Sequence, residues 1–218
     1  MKTHYYLGWF TDFFPENLSK ALGEDLTERK SLVMISSDPS DAEADGAVER
    51  SWLHQAGIQF DDYHLINHRV PQEKAHALLL QASVIFLLGG DTMKQNCFLK
   101  AYGLADPIKN SMALVMGASA GAINMAAKWV CSERFGYSGE ANAVCEGIAL
   151  NPFSVLSHFD LENNMALVQD ELSSLSKEME VYASNKDCAI RTEGEKIDIL
   201  GDVYRVTHSG IHKMDETF

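Results

Sequence analysis

Five short runs, Tyr5–Phe10, Ser31–Ser36, Tyr63–Ile66, Val84–Leu88 and Ala113–Met116, punctuate the first half of the chain, and those at 31–36, 84–88 and 113–116 are apolar almost throughout. A strand with one wet face alternates apolar and polar side chains; one that is apolar along its length has both faces covered. Helix-forming segments lie between them, about Asn17–Gly23, Ser40–Ala56, Gln72–Ala82 and Thr92–Tyr102. This alternation predicts an α/β protein with a mainly parallel central sheet between two layers of helices. Within the second helical segment Ser40-Asp41-Ala42-Glu43 has the capping-box pattern, which places the helix start at Ser40. At 218 residues, with no repeat or linker, a single domain spanning 1–218 is expected.

The run at 113–116 continues as Gly117-Ala118-Ser119-Ala120-Gly121-Ala122 before a helix-forming stretch. A Gly-x-Ser-x-Gly sequence between strand and helix forces its serine onto a tight turn with an exposed hydroxyl. Gly117 and Gly121 leave room where a side chain would strike the neighbouring strand or helix. Backbone N–H groups at the helix start favour negative charge developing beside the serine. Ser119 is therefore a candidate nucleophile, and a turn that serves only close packing is the alternative.

Composition narrows the partners. There are 31 acidic and 18 basic residues, for a formal charge of −13, which argues against nucleic acid and anionic membrane surfaces. No apolar run approaches the roughly 20 residues that span a bilayer. The N-terminal sequence lacks a signal-peptide layout. Cys97, Cys131, Cys145 and Cys188 are scattered, without a metal-ligand spacing, and read as reduced thiols of a cytoplasmic protein without a structural zinc.

A serine nucleophile needs a base and oxyanion donors. Gly89-Gly90-Asp91-Thr92 follows the strand run at 84–88 and opens a helix, so its backbone can approach a ligand closely. Neighbouring parallel strands end at one edge of a sheet, where ligands bind. This loop and Ser119 are expected to share a pocket, with residues 131–152 as an excursion on the same side. Among eight histidines, His158 ends a strand-like segment, Phe153–Ser157, just before a helix of about Leu161–Leu175 that Asp160 caps. His208 and His212 lie near the C-terminus, where an α/β-hydrolase keeps its base.

Gly89-Gly90-Asp91-Thr92, Gly117–Ala122 and Ser157-His158-Phe159, in that order, resemble the peptidase family that includes aspartyl dipeptidase (peptidase E) and cyanophycinase. The resemblance implies a three-layer αβα fold similar to class I glutamine amidotransferases, flavodoxin-like in type, with serine in place of their cysteine. It implies Ser119 as nucleophile, His158 as general base and oxyanion N–H groups from Gly90 and Ala120. Gly89, Asp91 and Thr92 would bind substrate, and neither a cofactor nor a metal is required. The third catalytic member departs from the family pattern. Peptidase E places an acid some fifteen residues after its serine, where this chain has Glu133 and Arg134. Cyanophycinase-like members place theirs beyond the histidine, where this chain has Asn185-Lys186-Asp187. Glu133 ranks narrowly ahead of Asp187, and Asp160 is third.

An N-terminal aspartate in a substrate calls for a cation, preferably an arginine. Residues 160–176 contain neither Arg nor Lys, so a peptide with a neutral or basic N-terminal residue is expected instead. The leading reading is a cytoplasmic serine peptidase acting on a small peptide or related amide, with a homodimer left open. An esterase using His208 or His212 is weakened because the loop before the serine reads Gly-Gly-Asp-Thr, not His-Gly-Gly. A small-molecule-binding relative that has lost its catalytic acid is the non-enzymatic alternative.

Overall fold

In a computed structural model of the chain, residues 2–41, 46–137, 143–157 and 159–218 are described. Strands β1 (Thr3–Leu7), β2 (Ser31–Ile35), β3 (Asp62–Ile66), β4 (Val84–Leu87) and β5 (Leu114–Ala118) pair in parallel, in the spatial order β1-β5-β4-β2-β3. Helices α1 (Glu16–Asp25), α2 (Ala47–Gln55), α3 (Gln72–Gln81), α4 (Thr92–Ala101), α5 (Ala105–Asn110) and α6 (Ala120–Met125) cover the sheet.

The apolar runs have the physical basis their composition implies. Side chains alternate between the faces of a strand. In β4, Ile85 and Leu87 join a core with Leu79 of α3, Phe98 and Leu99 of α4 and Met125 of α6. Val84 and Phe86 join a separate core with Leu18 and Leu22 of α1 and Trp52 and Leu53 of α2. Both faces of this strand are fully buried.

Two expected boundaries move. The run Tyr5–Phe10 ends as a strand at Leu7, because Phe10 turns into an aromatic cluster with Phe14 and Trp52. Helix α2 begins at Ala47 and not at Ser40. The Ser40 hydroxyl donates to the Asp38 carboxylate at 2.8 Å, and Gly46, at φ 69°, supplies the left-handed residue before the helix. Ala42 and Glu43 of the expected capping box lie outside the described residues.

Beyond α6, β6 (Lys128–Cys131) and β7 (Ala143–Glu146) form an antiparallel ribbon. β8 (Phe153–Leu156) leads through α7 (Leu161–Leu172) to β9 (Glu180–Ser184), its parallel neighbour. The Asp160 carboxylate caps α7 by accepting the Asn163 N–H at 3.2 Å. β10 (Ala189–Glu193) and β11 (Lys196–Leu200) are joined by a tight turn at Gly194 and extend the central sheet antiparallel beside β1. β12 (Val203–Thr207) and β13 (Gly210–Lys213) return to β9, giving a second sheet of order β13-β12-β9-β8.

An ion network ties the β10–β11 extension to α1. Arg191 meets the Asp25 carboxylate at 2.7 and 2.9 Å and reaches Asp198 and Glu193 at 3.0 Å each. Burial alone would raise the Asp25 carboxyl, but hydrogen bonds from Arg191 and Tyr5 outweigh it and hold it below the usual carboxylate range. No helix among the described residues is long and apolar enough to cross a membrane. The four cysteines are free thiols.

Candidate active site

The site grows from the carboxyl ends of three neighbouring strands. In register, Leu87 of β4 faces Gly117 of β5, and Ala118 of β5 faces Leu7 of β1. The segments that follow these strands therefore emerge side by side, as expected at the ligand edge of a parallel sheet.

Ser119 is the single residue between β5 and α6, and its backbone sits at φ 49°, ψ −109°. That conformation is sparsely populated for a residue with a side chain and is held by its surroundings. Those surroundings explain the two glycines. A Cβ on Gly117 would lie 2.6 Å from the Gly121 carbonyl carbon and 2.8 Å from the Ala122 nitrogen. A Cβ on Gly121 would overlap the Leu87 carbonyl of β4. Helix α6 thus lies against β4 and β5 at a distance only glycine permits, and this contact holds Ser119 in its turn. At six residues α6 carries a short dipole, and the N–H groups of its first turn follow directly on the serine.

The second segment is Gly89-Gly90, which joins β4 to α4. Asp91 caps α4, its carboxylate accepting the Lys94 N–H at 2.9 Å. Gly90 adopts φ 130°, a conformation that favours glycine, and a Cβ on it would overlap the Ser37 hydroxyl. A Cβ on Gly89 would overlap the ring of Trp9.

Ser119, Gly90, Asp91 and Thr92 line one cavity of about 490 Å3, together with Met93, Ile123, Phe135, Gly136, Tyr137, Leu156, Ser157 and Phe159. Four of the sequence candidates are thereby brought together. Gly89 and Ala120 flank the cavity in the chain without lining it. His158 lies outside the described residues; its chain neighbours Ser157 and Phe159 both line the cavity. His208 and His212 are exposed on the β12–β13 hairpin and do not line it.

The three candidate acids are all exposed. Glu133 opens a single 3-10 turn, Glu133–Phe135, whose Phe135 ring packs edge-on to Phe159 with centroids 5.1 Å apart. Its neighbour Arg134 turns away to Asp170 and Glu171 of α7, at 2.6 Å each. Asp187 has φ 50° and donates its N–H to the Trp9 carbonyl at 3.3 Å. Asp160 serves as the cap of α7.

The far wall is aromatic. Tyr137 shares a hydrogen bond with Thr92, and burial pushes its phenol up to about 12, so it stays neutral at ordinary pH. No lysine or arginine is found among the described residues that line the cavity.

Behind the cavity lies a chain of buried amides that the sequence reading missed. Gln95 Nε2 donates to the carbonyls of Ile35 and Leu88 at 3.3 and 3.0 Å. Asn124 Nδ2 donates to Gln95 Oε1 at 3.1 Å and to the Thr92 carbonyl at 3.0 Å. Asn96 donates to Asn124 Oδ1 at 2.9 Å. The signal was present: Asn124 is the one polar side chain in the stretch Ala120–Met125. Two further polar residues grip the Gly89 backbone. Buried Glu49 accepts the Gly89 N–H at 3.0 Å, and the Ser37 hydroxyl donates to the Gly89 carbonyl.

A family model described as peptidase family S51 matches residues 37–200. Among solved structures, the chain is similar to a peptidase from an acI-B1 Actinobacterium at 15% identity and TM-score 0.71, over 100% of this chain and 96% of that one. It is also similar to a peptidase E candidate from Listeria monocytogenes EGD-e at 19% identity and TM-score 0.70, over 92% of this chain and 98% of that one. No curated protein gives a significant match.

Proposed function

Since the chain belongs to peptidase family S51, and is thus a serine peptidase, we propose that Ser119 is its nucleophile and that its substrate is a small peptide or related amide. The observation that carries the assignment is the backbone of Ser119, held at φ 49° on a strand-to-helix turn that opens into the cavity beside Gly90. A nucleophile on such a turn presents its hydroxyl clear of its own backbone, which is what attack on a carbonyl carbon needs.

In this reading Ser119 Oγ attacks the scissile carbonyl and its proton passes to His158. The oxyanion is stabilised by the N–H groups of Gly90 and Ala120, and the C–N bond then breaks as His158 returns the proton to the departing amine. Water, deprotonated by His158, hydrolyses the acyl-enzyme and restores Ser119. The position of His158 between two cavity-lining residues supports its role. Glu133 is proposed as the acid that orients His158, supported by the packing of its turn against Phe159, with Asp187 as the alternative. Gly89, Asp91 and Thr92 are assigned to the substrate side of the cavity.

The lining supports a substrate class. Recognition of an acidic side chain needs a desolvated cation, and the described wall offers aromatic and apolar groups with the carboxylate of Asp91. A peptide with a neutral or basic N-terminal residue fits that wall. A cytoplasmic setting belongs to this reading, supported by four cysteines that are free thiols, and the acidic balance supports a partner list without nucleic acid.

A fluorophosphonate probe tests the assignment. Peptide mapping is expected to find the phosphonyl group on Ser119 and none on the Ser119→Ala variant. An unlabelled wild-type protein, or a label elsewhere, overturns it.

A further inference from the structure

We propose that Ser37 is a positioning residue that aims the Gly90 N–H into the oxyanion site. This inference rests on the assignment of Ser119 above. Ser37 follows β2, which neighbours β4, so it stands at the same sheet edge as the catalytic segments although 52 residues separate it from Gly89. Its side chain is buried and its hydroxyl donates to the Gly89 carbonyl.

A peptide unit is planar and trans, so the carbonyl of one residue and the N–H of the next point in opposite directions. No peptide bond among the described residues is cis. Fixing the direction of the Gly89 carbonyl therefore fixes the Gly90 N–H on the opposite side, away from Ser37 and toward the cavity that Gly90 lines. A second contact removes the remaining freedom. Glu49 accepts the N–H of Gly89 at 3.0 Å, holding the preceding peptide unit.

The clamp has a reason to exist. Gly89-Gly90 has the conformational freedom of two adjacent glycines, and Gly90 sits at φ 130°. A Gly-Gly peptide can flip its plane through a change in two backbone angles, and a flip here would present a carbonyl oxygen where a donor is needed. That would oppose the developing negative charge. The Ser37 hydroxyl donates to the Gly89 carbonyl of the unflipped peptide; a flip breaks that bond and brings the Gly90 N–H round to Ser37, whose oxygen accepts it only after the hydroxyl turns its own proton away. Ser37 thus acts through Gly90 and does not touch the reacting atoms.

The test uses a fluorophosphonate probe, whose phosphoryl oxygen takes the oxyanion position, with its rate resolved into kinact and KI. For Ser37→Ala, kinact is expected to fall by up to about 10²-fold, the lower end of what losing one oxyanion donor costs, while KI stays constant. The pH at which labelling is half-maximal should also stay constant, because the base is untouched. Ser37→Thr, which keeps the hydroxyl, should recover most of the rate. Ser37→Cys, a weaker donor of similar size, should fall between them and serves if the alanine variant does not fold. An unchanged kinact in the alanine or cysteine variant overturns the role of Ser37, as does a loss carried by KI. If the wild-type protein fails to label, the Ser119 assignment falls first and this inference falls with it.

Discussion

The backbone N–H of Ser119 donates to the carbonyl oxygen of Leu7 at 3.0 Å. The same oxygen accepts the hydroxyl of Ser157 at 3.3 Å. One carbonyl at the end of β1 therefore sets the spacing between the serine turn and the end of β8, the strand that leads to His158. The two parts of the proposed catalytic pair follow different strands, β5 and β8, and β1 is where their supports meet.

Strain at Ser119 separates stability from activity. Ser119→Gly should abolish turnover, by a factor on the order of 10⁶ in kcat. It should nevertheless stabilise the fold by about 1 kcal/mol, because relief of a left-handed conformation worth about 1–3 kcal/mol exceeds the extra freedom glycine gains on unfolding. Thermal unfolding should show a midpoint raised by about 2–4 °C. A lowered midpoint would mean the turn is not under strain.

The glycine contact at α6 should tolerate nothing larger. In Gly121→Ala the added methyl meets a main-chain carbonyl of β4, which cannot step aside as a flexible side chain would. A loss of about 3 kcal/mol is expected, at the upper end for overpacking, with a midpoint lower by about 6–12 °C. Calorimetry of the purified variant checks it.

Three substitutions sort the proton-transfer groups. His158→Ala should remove turnover, while His208→Ala and His212→Ala, both on the distant hairpin, should leave it near wild type. Glu133→Gln should lower kcat by about 10⁴-fold if Glu133 orients the imidazole, and Asp187→Asn should not. Rates on a panel of dipeptides and p-nitroanilides decide between them. The reverse pattern moves the orienting role to Asp187.

The network around Arg191 predicts the acid limb of stability. Asp25 titrates below its usual 3.8 in the folded protein, so it binds fewer protons there than when unfolded. Its contribution is present above that pH and is lost as pH falls through the folded value. Asp25→Asn should therefore cost about 1–2 kcal/mol at pH 7, less than breaking a fully buried ion pair because solvent reaches the half-buried carboxylate. The difference from wild type should shrink below about pH 4. Urea unfolding at pH 7 and pH 3 tests both statements.

The elements that were readable in the sequence are those whose cause is local. The runs at 31–36, 84–88 and 113–116 become β2, β4 and β5 because burial on both faces demands continuous apolar side chains. The Ser119 turn was readable because the collisions that require Gly117 and Gly121 arise within one strand–helix unit and its neighbour. The start of α2 was not, since a turn at Ser40, bonded to Asp38, competes with the capping box. Ser37, Glu49 and Gln95 were not readable either. Their partners lie many tens of residues away in the chain or are backbone atoms that leave no trace in composition, as with the 40 residues between Glu49 and Gly89.

The buried amides of Gln95, Asn96 and Asn124 divide the cavity into two walls of different character. Thr92, α4 and α6 share donors and acceptors across that network, so any shift of one wall segment breaks bonds that water is not placed to replace. Phe135 and Phe159, which also line the cavity, meet through an edge-on ring contact, which tolerates exchange of one side chain for another. The two sets of residues should therefore differ in tolerance: libraries randomised at Phe135 and Phe159 should keep folded members, while equal randomisation at the amide positions should yield few.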